Sequence, residues 1–159
     1  MTLLSALDSV FNGQNYSNKV IEKLFKENKK LGVRDRQFIA ENLYDLVRWW
    51  RKVLFCSGLH DSHFAQDRMF SESELTKILL AWLSGSGWQE PEFLDNVDSR
   101  FNKIFAEKWN KKSLNPEISH SYSDFFMDKL KENFPDSFDA FASSLNQQAS
   151  IYILSLIHI

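Results

Sequence analysis

The strongest pattern in this sequence is a helical repeat of apolar residues between positions 38 and 54. Apolar side chains recur there every three or four residues, which places them along one stripe of an α-helix. Such a stripe is stable in water only when it is buried, so the rest of the chain is expected to pack against it. Gly32 allows a turn before the repeat, and one helix is predicted from Val33 or Arg34 to about Phe55. Its buried residues are predicted to be Leu43, Leu46, Val47 and Trp50.

The polar side of this predicted helix, together with the turn before it, is basic. Between Ser17 and Lys52 the sequence has ten lysines and arginines and five acidic residues, a net charge of +5, whereas the whole chain has −2. The remaining residues therefore carry −7, so positive charge is concentrated in one part of the molecule. A basic surface suits a phosphate backbone, although most charged helix faces are ordinary solvated surfaces. The candidate RNA-binding residues are Lys29, Lys30, Arg34, Arg36, Arg48 and Arg51.

The composition favours an all-α fold with a sizeable core. Hydrophobic residues make up 43% and aromatic residues 14% of the 159 positions, and five glycines with three prolines leave long helices uninterrupted. No stretch approaches the roughly 20 apolar residues of a membrane-spanning helix, and the start of the chain lacks a signal-peptide pattern. A cytoplasmic protein without a membrane partner is therefore expected.

Few residues are of the types that carry catalysis or bind metals. Cys56 is the only cysteine, which excludes an internal disulfide and a multi-cysteine zinc cluster. His60, Asp61 and His63 lack further ligands at suitable spacing, so they are interpreted as part of a solvated loop. No catalytic residue and no metal site are predicted. Trp49 is interpreted either as a core residue or as a platform on which an unpaired base stacks.

About seven helices are predicted along the chain. The first ends at Gly13, and Ser17 caps a second helix whose outer side is rich in lysine. Ser71 begins a strongly apolar helix that ends at Gly85. Residues 93–109 are typical of one or two further helices.

The last third of the chain has a different character. Residues 111–120 contain a proline and several polar residues, which is typical of a linker. After it, Ser121 or Ser123 caps one helix and Pro135 opens another, which predicts a helical hairpin. The inward-facing residues of this hairpin are predicted to be Phe125, Phe126, Leu130, Phe138, Phe141, Ala142 and Leu145. Ile151–Ile153 has the β-branched and aromatic content of a strand.

Two parts of the sequence resemble one protein family. Residues 28–41, NKKLGVRDRQFIAE, and residues 44–48, YDLVR, resemble the N-terminal NusB-like domain of bacterial ribosomal RNA cytosine 5-methyltransferases of the Sun or Fmu family. Residues 121–126, SYSDFF, and residues 145–149, LNQQA, resemble the segment that joins this domain to the catalytic domain in that family. The resemblance covers roughly residues 3–153.

The resemblance implies an RNA-binding, NusB-like helical bundle in residues 1–112 and a helical connecting segment in residues 113–153, which ends at the start of a truncated strand. The catalytic domain is expected to be absent from this fragment. Residues 154–159 are similar to translated sequencing-adapter read-through and are expected to be a non-native tail. The expected partners are ribosomal RNA and the parent enzyme's own catalytic domain, and the chain is expected to be a monomer.

The resemblance also implies a chemistry that this chain is not expected to perform by itself. Enzymes of the family attack the pyrimidine ring with a cysteine thiolate, transfer a methyl group from S-adenosylmethionine, and use a second cysteine to release the product. One cysteine cannot fill both roles, and the sequence has no glycine-rich turn between a strand and a helix to hold the cofactor. S-adenosylmethionine is therefore expected in the parent enzyme and no cofactor in this fragment.

Two other functions stay open at this point. The chain fits a stand-alone transcription antitermination factor of the NusB type, which would work through RNA and protein partners. It also fits a helical protein-interaction module with no role in nucleic-acid binding.

Overall fold

The structure is a computed structural model, which describes residues 2–59, 69–85 and 99–147. These three ranges form nine helices and contain no strand. The helices are α1 (Thr2–Phe11), α2 (Ser17–Glu27), α3 (Val33–Arg48), α4 (Trp50–Cys56), α5 (Glu72–Gly85), α6 (Ser99–Trp109), α7 (Pro116–Ser119), α8 (Asp124–Asn133) and α9 (Phe138–Leu145). The all-α prediction is confirmed, with more helices than the seven or so that the sequence predicts. The predicted strand Ile151–Ile153 lies outside the described residues.

Helices α1 to α6 enclose one hydrophobic core. Helix α1 contacts α2, α3 and α5, while α6 packs on α4 and α5. The largest fully buried side chains of this core are Leu7, Leu43, Leu46, Leu54, Leu75, Ile78 and Leu79. The predicted burial of Leu43 and Leu46 is confirmed, whereas Val47 and Trp50 are only half-buried. No helix in the described ranges has the length and apolar character needed to cross a membrane.

The single long helix predicted from Val33 to about Phe55 is wrong, because α3 and α4 are separate helices that meet at Trp49. Trp49 has φ −99° and ψ 16°, and a new helix start leaves backbone N–H groups without partners in the preceding turn. The Ser121 hydroxyl accepts hydrogen bonds from the N–H of Arg51 at 3.0 Å and from the N–H of Lys52 at 3.4 Å. Ser121 is 70 positions from Arg51, and it takes the left-handed φ of 62° that few residues other than glycine adopt.

The break sends two adjacent tryptophans to different partners. Trp50 stacks on Phe11 with ring centroids 3.5 Å apart, and the edge of Phe70 meets it at 5.4 Å. Trp49 instead meets Trp109 of α6 edge to face, at 6.1 Å between centroids. Both tryptophans are half-buried and pack against the first core.

Helix α5 begins as the sequence predicts. The Ser71 hydroxyl accepts a hydrogen bond from the N–H of Glu74 at 3.3 Å, and the Glu74 carboxylate accepts one from the N–H of Ser71 at 2.9 Å. This reciprocal pair is a capping box, which satisfies two donors at the helix start. Asn12 fixes the preceding residue, because its side chain bonds both the N–H and the carbonyl of Phe70, at 2.7 and 2.8 Å.

Helices α8 and α9 form a smaller second core around Met127, Leu130 and Ala142. Ser123 caps α8, since its hydroxyl accepts from the N–H of Phe126 at 3.3 Å. The segment predicted as a linker contains the short helix α7.

Three residues predicted to face inward in this hairpin are exposed. Phe125 is 73% exposed, and Phe141 and Leu145 are 39% and 47% exposed. Helix α9 also begins at Phe138 and not at Pro135, because residues 135–137 form turns. The hairpin is too small to bury every apolar side chain of two short helices, so those outside the narrow contact stripe stay on the surface.

Arg51 joins the second core to the first. Its guanidinium donates hydrogen bonds to the carbonyl of Tyr122 at 2.7 Å and to the carboxylate of Asp124 at 2.8 Å. The Arg51 side chain is 10% exposed, whereas that of Asp124 is 74% exposed. Arg51 is therefore a structural link, placed where α4 passes the start of α8.

Candidate nucleic-acid interface

The turn between α2 and α3 presents a group of exposed cations. Lys29 and Lys30 lie in the turn, Arg34 lies in the first turn of α3, and all three are exposed. Within the described part of the chain, none of these three side chains forms a hydrogen bond or an ion pair. These three residues are called the basic turn below.

The backbone of the basic turn is well supported. The Asp35 carboxylate accepts a hydrogen bond from the N–H of Gly32 at 2.9 Å, an arrangement that also places a negative charge at the start of α3. Arg36 donates from Nε to the carbonyl of Leu31 at 3.0 Å, and its guanidinium lies 5.1 Å from the centre of the Phe25 ring. Arg36 is therefore half-buried and positions the turn, while the three neighbouring cations are exposed.

The lysines of α2 differ from the basic turn because they are compensated by acidic residues of the same helix. Glu22 accepts from Lys26 at 2.8 Å and pairs with Lys19 at 3.4 Å, while Lys23 pairs with Glu27 at 4.0 Å. The hydrogen bond from Lys26 lowers the pKa of Glu22, and the same bond raises the pKa of Lys26. These charges largely cancel locally, which leaves the basic turn as the stronger anion-attracting surface.

The structure does not bring all six candidate residues into one face. Arg48 pairs with Asp45 at 2.8 Å, and it lies about 20 Å along α3 from Arg34 at 1.5 Å per residue. Arg51 is buried, with its guanidinium bonded to the carbonyl of Tyr122, so it is not available at the surface as a phosphate contact. The candidate interface therefore consists of the basic turn, with Arg36 beside it.

A second basic region, which the sequence reasoning missed, surrounds a group of tryptophans. Six residues of α5 and α6 and of the turn after α6 line a cleft of about 270 Å³, called the tryptophan cleft below: Trp82, Gly85, Phe105, Ala106, Trp109 and Asn110. The Lys52 ammonium lies 4.2 Å from the centre of the Trp109 ring and 5.7 Å from that of Trp49. Burial lowers the pKa of Lys52. The sequence feature that could have indicated this region is the cluster of lysines at positions 108–112, part of which was interpreted as a linker.

The described residues give no support for covalent or metal chemistry at either surface. Burial raises the pKa of the Cys56 thiol to about 11, so the thiol stays protonated and unreactive at neutral pH. No group of three or more potential metal ligands comes together in the described ranges. His60, Asp61 and His63, predicted to form a solvated loop, lie outside these ranges.

Comparison with known proteins does not assign the chain to a family. No protein-family model matches it, and neither a curated protein nor a solved structure matches it significantly.

Proposed function

We propose that this chain binds RNA through the basic turn. The observation that carries the proposal is that Lys29, Lys30 and Arg34 are exposed, close together in sequence and uncompensated within the described structure, whereas the lysines of α2 are paired. Exposed cations on a supported turn attract phosphates and release counterions on binding. They lack groups that would read base edges, so the binding is expected to depend weakly on sequence.

We further propose that the chain is the RNA-binding part of a cytoplasmic ribosomal RNA cytosine 5-methyltransferase. Support for this step comes from the resemblance of residues 28–48 and 121–126 to the NusB-like domain and connecting segment of that family. In this proposal S-adenosylmethionine belongs to a catalytic domain of the parent enzyme, and ribosomal RNA is the partner of the present residues.

A titration of fluorescently labelled ribosomal RNA hairpin by anisotropy, repeated at several salt concentrations, tests the RNA-binding proposal. Each phosphate contact in a single strand adds about 0.7 to the slope of log affinity against log salt concentration. Replacing Lys29, Lys30 and Arg34 together with Gln should therefore flatten the slope by up to about 2. The fold should not change, because all three side chains are exposed and unpaired within the described structure.

A matched control removes the same charge from α2. Replacing Lys19, Lys23 and Lys26 together with Gln also takes away three positive charges, but these lysines already pair with Glu22 and Glu27. We expect the control to change the salt slope much less than the basic-turn variant. Equal slopes for wild type and the basic-turn variant would place the RNA-binding surface elsewhere.

A protein-interaction module is the second candidate, because the hairpin of α8 and α9 exposes large apolar side chains. Phe134 stacks on Phe141 at 4.9 Å, and both rings remain about 40% exposed. Phe125, at 73% exposed, adds a second apolar site at the other end of α8. Absence of any RNA affinity at low salt would favour this candidate over the first.

A further inference from the structure

Three aromatic rings, those of Trp82, Phe105 and Trp109, line the tryptophan cleft. Trp82 and Trp109 meet edge to face at 5.6 Å, and Phe105 stacks on Trp109 at 5.9 Å with an interplanar angle of 11°. Trp82 is fixed by a hydrogen bond from its ring N–H to the side chain of Asn42, at 3.0 Å. The rings are therefore held in place by their own contacts, which favours stacking of a flat ligand without a large ordering cost.

Among the described residues, the helix and turn on one side of the cleft are rich in basic residues. Residues 99–112 contain five lysines and arginines against one acidic residue, Glu107. Lys111 and Lys112 are exposed directly after the cleft residue Asn110, and within the described ranges they have no ion-pair partner. Lys52 lies on the Trp109 ring itself. A ligand that combines a flat aromatic group with negative charge matches this arrangement.

We propose that the tryptophan cleft binds an unpaired base of single-stranded RNA, and that Lys111 and Lys112 contact the flanking phosphates. Aromatic platforms in a basic groove are the general means of binding single strands, because every base offers a face for stacking. A duplex keeps its bases inside the helix, so it can offer the lysines only phosphates. This inference rests on the proposed function and adds a second surface, made of a different set of side chains from the basic turn.

Gly85 provides a test that fills the cleft without removing an aromatic residue. Among the described residues, a Cβ at Gly85 would meet one atom within 4 Å, Cε1 of Phe105 at 3.8 Å, which is an ordinary contact. Gly85→Leu therefore introduces its Cβ without a clash with these residues, and the rest of its side chain would compete with a base for the cleft. Ala140→Leu, on the exposed side of α9, adds a similar apolar side chain away from the cleft and serves as the control.

The experiment compares a labelled ten-nucleotide RNA with an abasic strand of the same length and charge, using anisotropy. Wild type and Ala140→Leu should bind the normal strand at least about fivefold more tightly than the abasic strand, since stacking supplies the difference. Gly85→Leu should lose that preference and keep its affinity for the abasic strand. Circular dichroism checks that each variant is folded.

The charge arm replaces Lys111 and Lys112 together with Gln. This double variant should weaken binding of both strands and flatten the salt slope by about 1.4, because each of two lost phosphate contacts accounts for about 0.7. The matched control, Lys77→Gln with Lys129→Gln, removes the same charge from α5 and α8 and should leave the slope nearly unchanged. An equal effect of the two double variants would exclude Lys111 and Lys112 as phosphate contacts.

Different results would contradict the basic-turn proposal and the cleft proposal. The basic-turn variant should weaken both strands alike and leave the ratio between them unchanged, so an unchanged salt slope in that variant counts against the basic turn alone. Equal wild-type affinity for the normal and the abasic strand would overturn the cleft proposal. The cleft proposal would also fail if Gly85→Leu, once shown to be folded, kept the full preference for bases.

Discussion

Arg51 offers the sharpest test of how the two cores are joined. Replacement by Met keeps most of the buried stem but removes the guanidinium, and with it the hydrogen bonds to the Tyr122 carbonyl and the Asp124 carboxylate. Hydrogen bonds from a charged donor contribute about 1.5 to 3 kcal/mol each when both partners are shielded from water. The carbonyl of Tyr122 is part-buried, so its bond belongs to this range.

The hydrogen bond to Asp124 contributes less to the free energy of unfolding. The Asp124 side chain is 74% exposed, so water replaces the lost partner, and exposed ion pairs contribute about 0 to 1 kcal/mol. Asp124 also lies at the start of α8, where the helix dipole stabilises the remaining carboxylate. Together the two bonds predict that Arg51→Met lowers the free energy of unfolding by about 1.5 to 4 kcal/mol. For a chain of this size the melting temperature should fall by roughly 3 to 16 °C.

Urea unfolding followed by circular dichroism at 222 nm measures this difference. Arg34→Met is the matched control, because Arg34 is exposed and without a partner in the described structure, and its substitution should stay within about 0.5 kcal/mol of wild type. The RNA salt slope of Arg51→Met should equal that of wild type, since Arg51 is buried. A stability of Arg51→Met within about 0.5 kcal/mol of wild type would refute the link between the two cores.

Two further predictions concern packing and pH. Leu46→Ala should cost about 2 to 5 kcal/mol, because Leu46 is fully buried in the first core, while Val33→Ala at an 82% exposed position should be nearly neutral in the same urea titration. The hydrogen bond from Lys131 lowers the pKa of Glu117 below its ordinary value of 4.5. This pair therefore stabilises the fold fully above about pH 4.5. Its contribution is lost as the pH falls through the lowered pKa of Glu117. Urea titrations from pH 7 to pH 3 should therefore show the stability gap between wild type and Lys131→Met closing at acid pH, and a gap that stays constant would contradict the pairing.

The local sequence was sufficient to locate a helix whose apolar repeat and capping residues lie within the helix itself. The apolar repeat located α5, and the pair Ser71 and Glu74 marked its start, because a capping box needs only residues three apart. The burial of Leu43 and Leu46 also followed from the repeat, since these residues lie at the centre of the apolar stripe. The compact basic turn was visible in the same way, as three cations within six positions.

Contacts between distant parts of the chain decided the remaining features. The apolar repeat continues through Trp49, so nothing local shows that the helix ends there, and Ser121, 70 positions from Arg51, accepts the N–H groups that the break releases. Arginine is usually a surface residue, yet Arg51 is buried because its guanidinium bonds to Asp124 and to the Tyr122 carbonyl. The tryptophan cleft likewise depends on α5 and α6 lying side by side. Periodicity reports which side of a helix is apolar, but the partner that meets each polar group is chosen only when the helices pack.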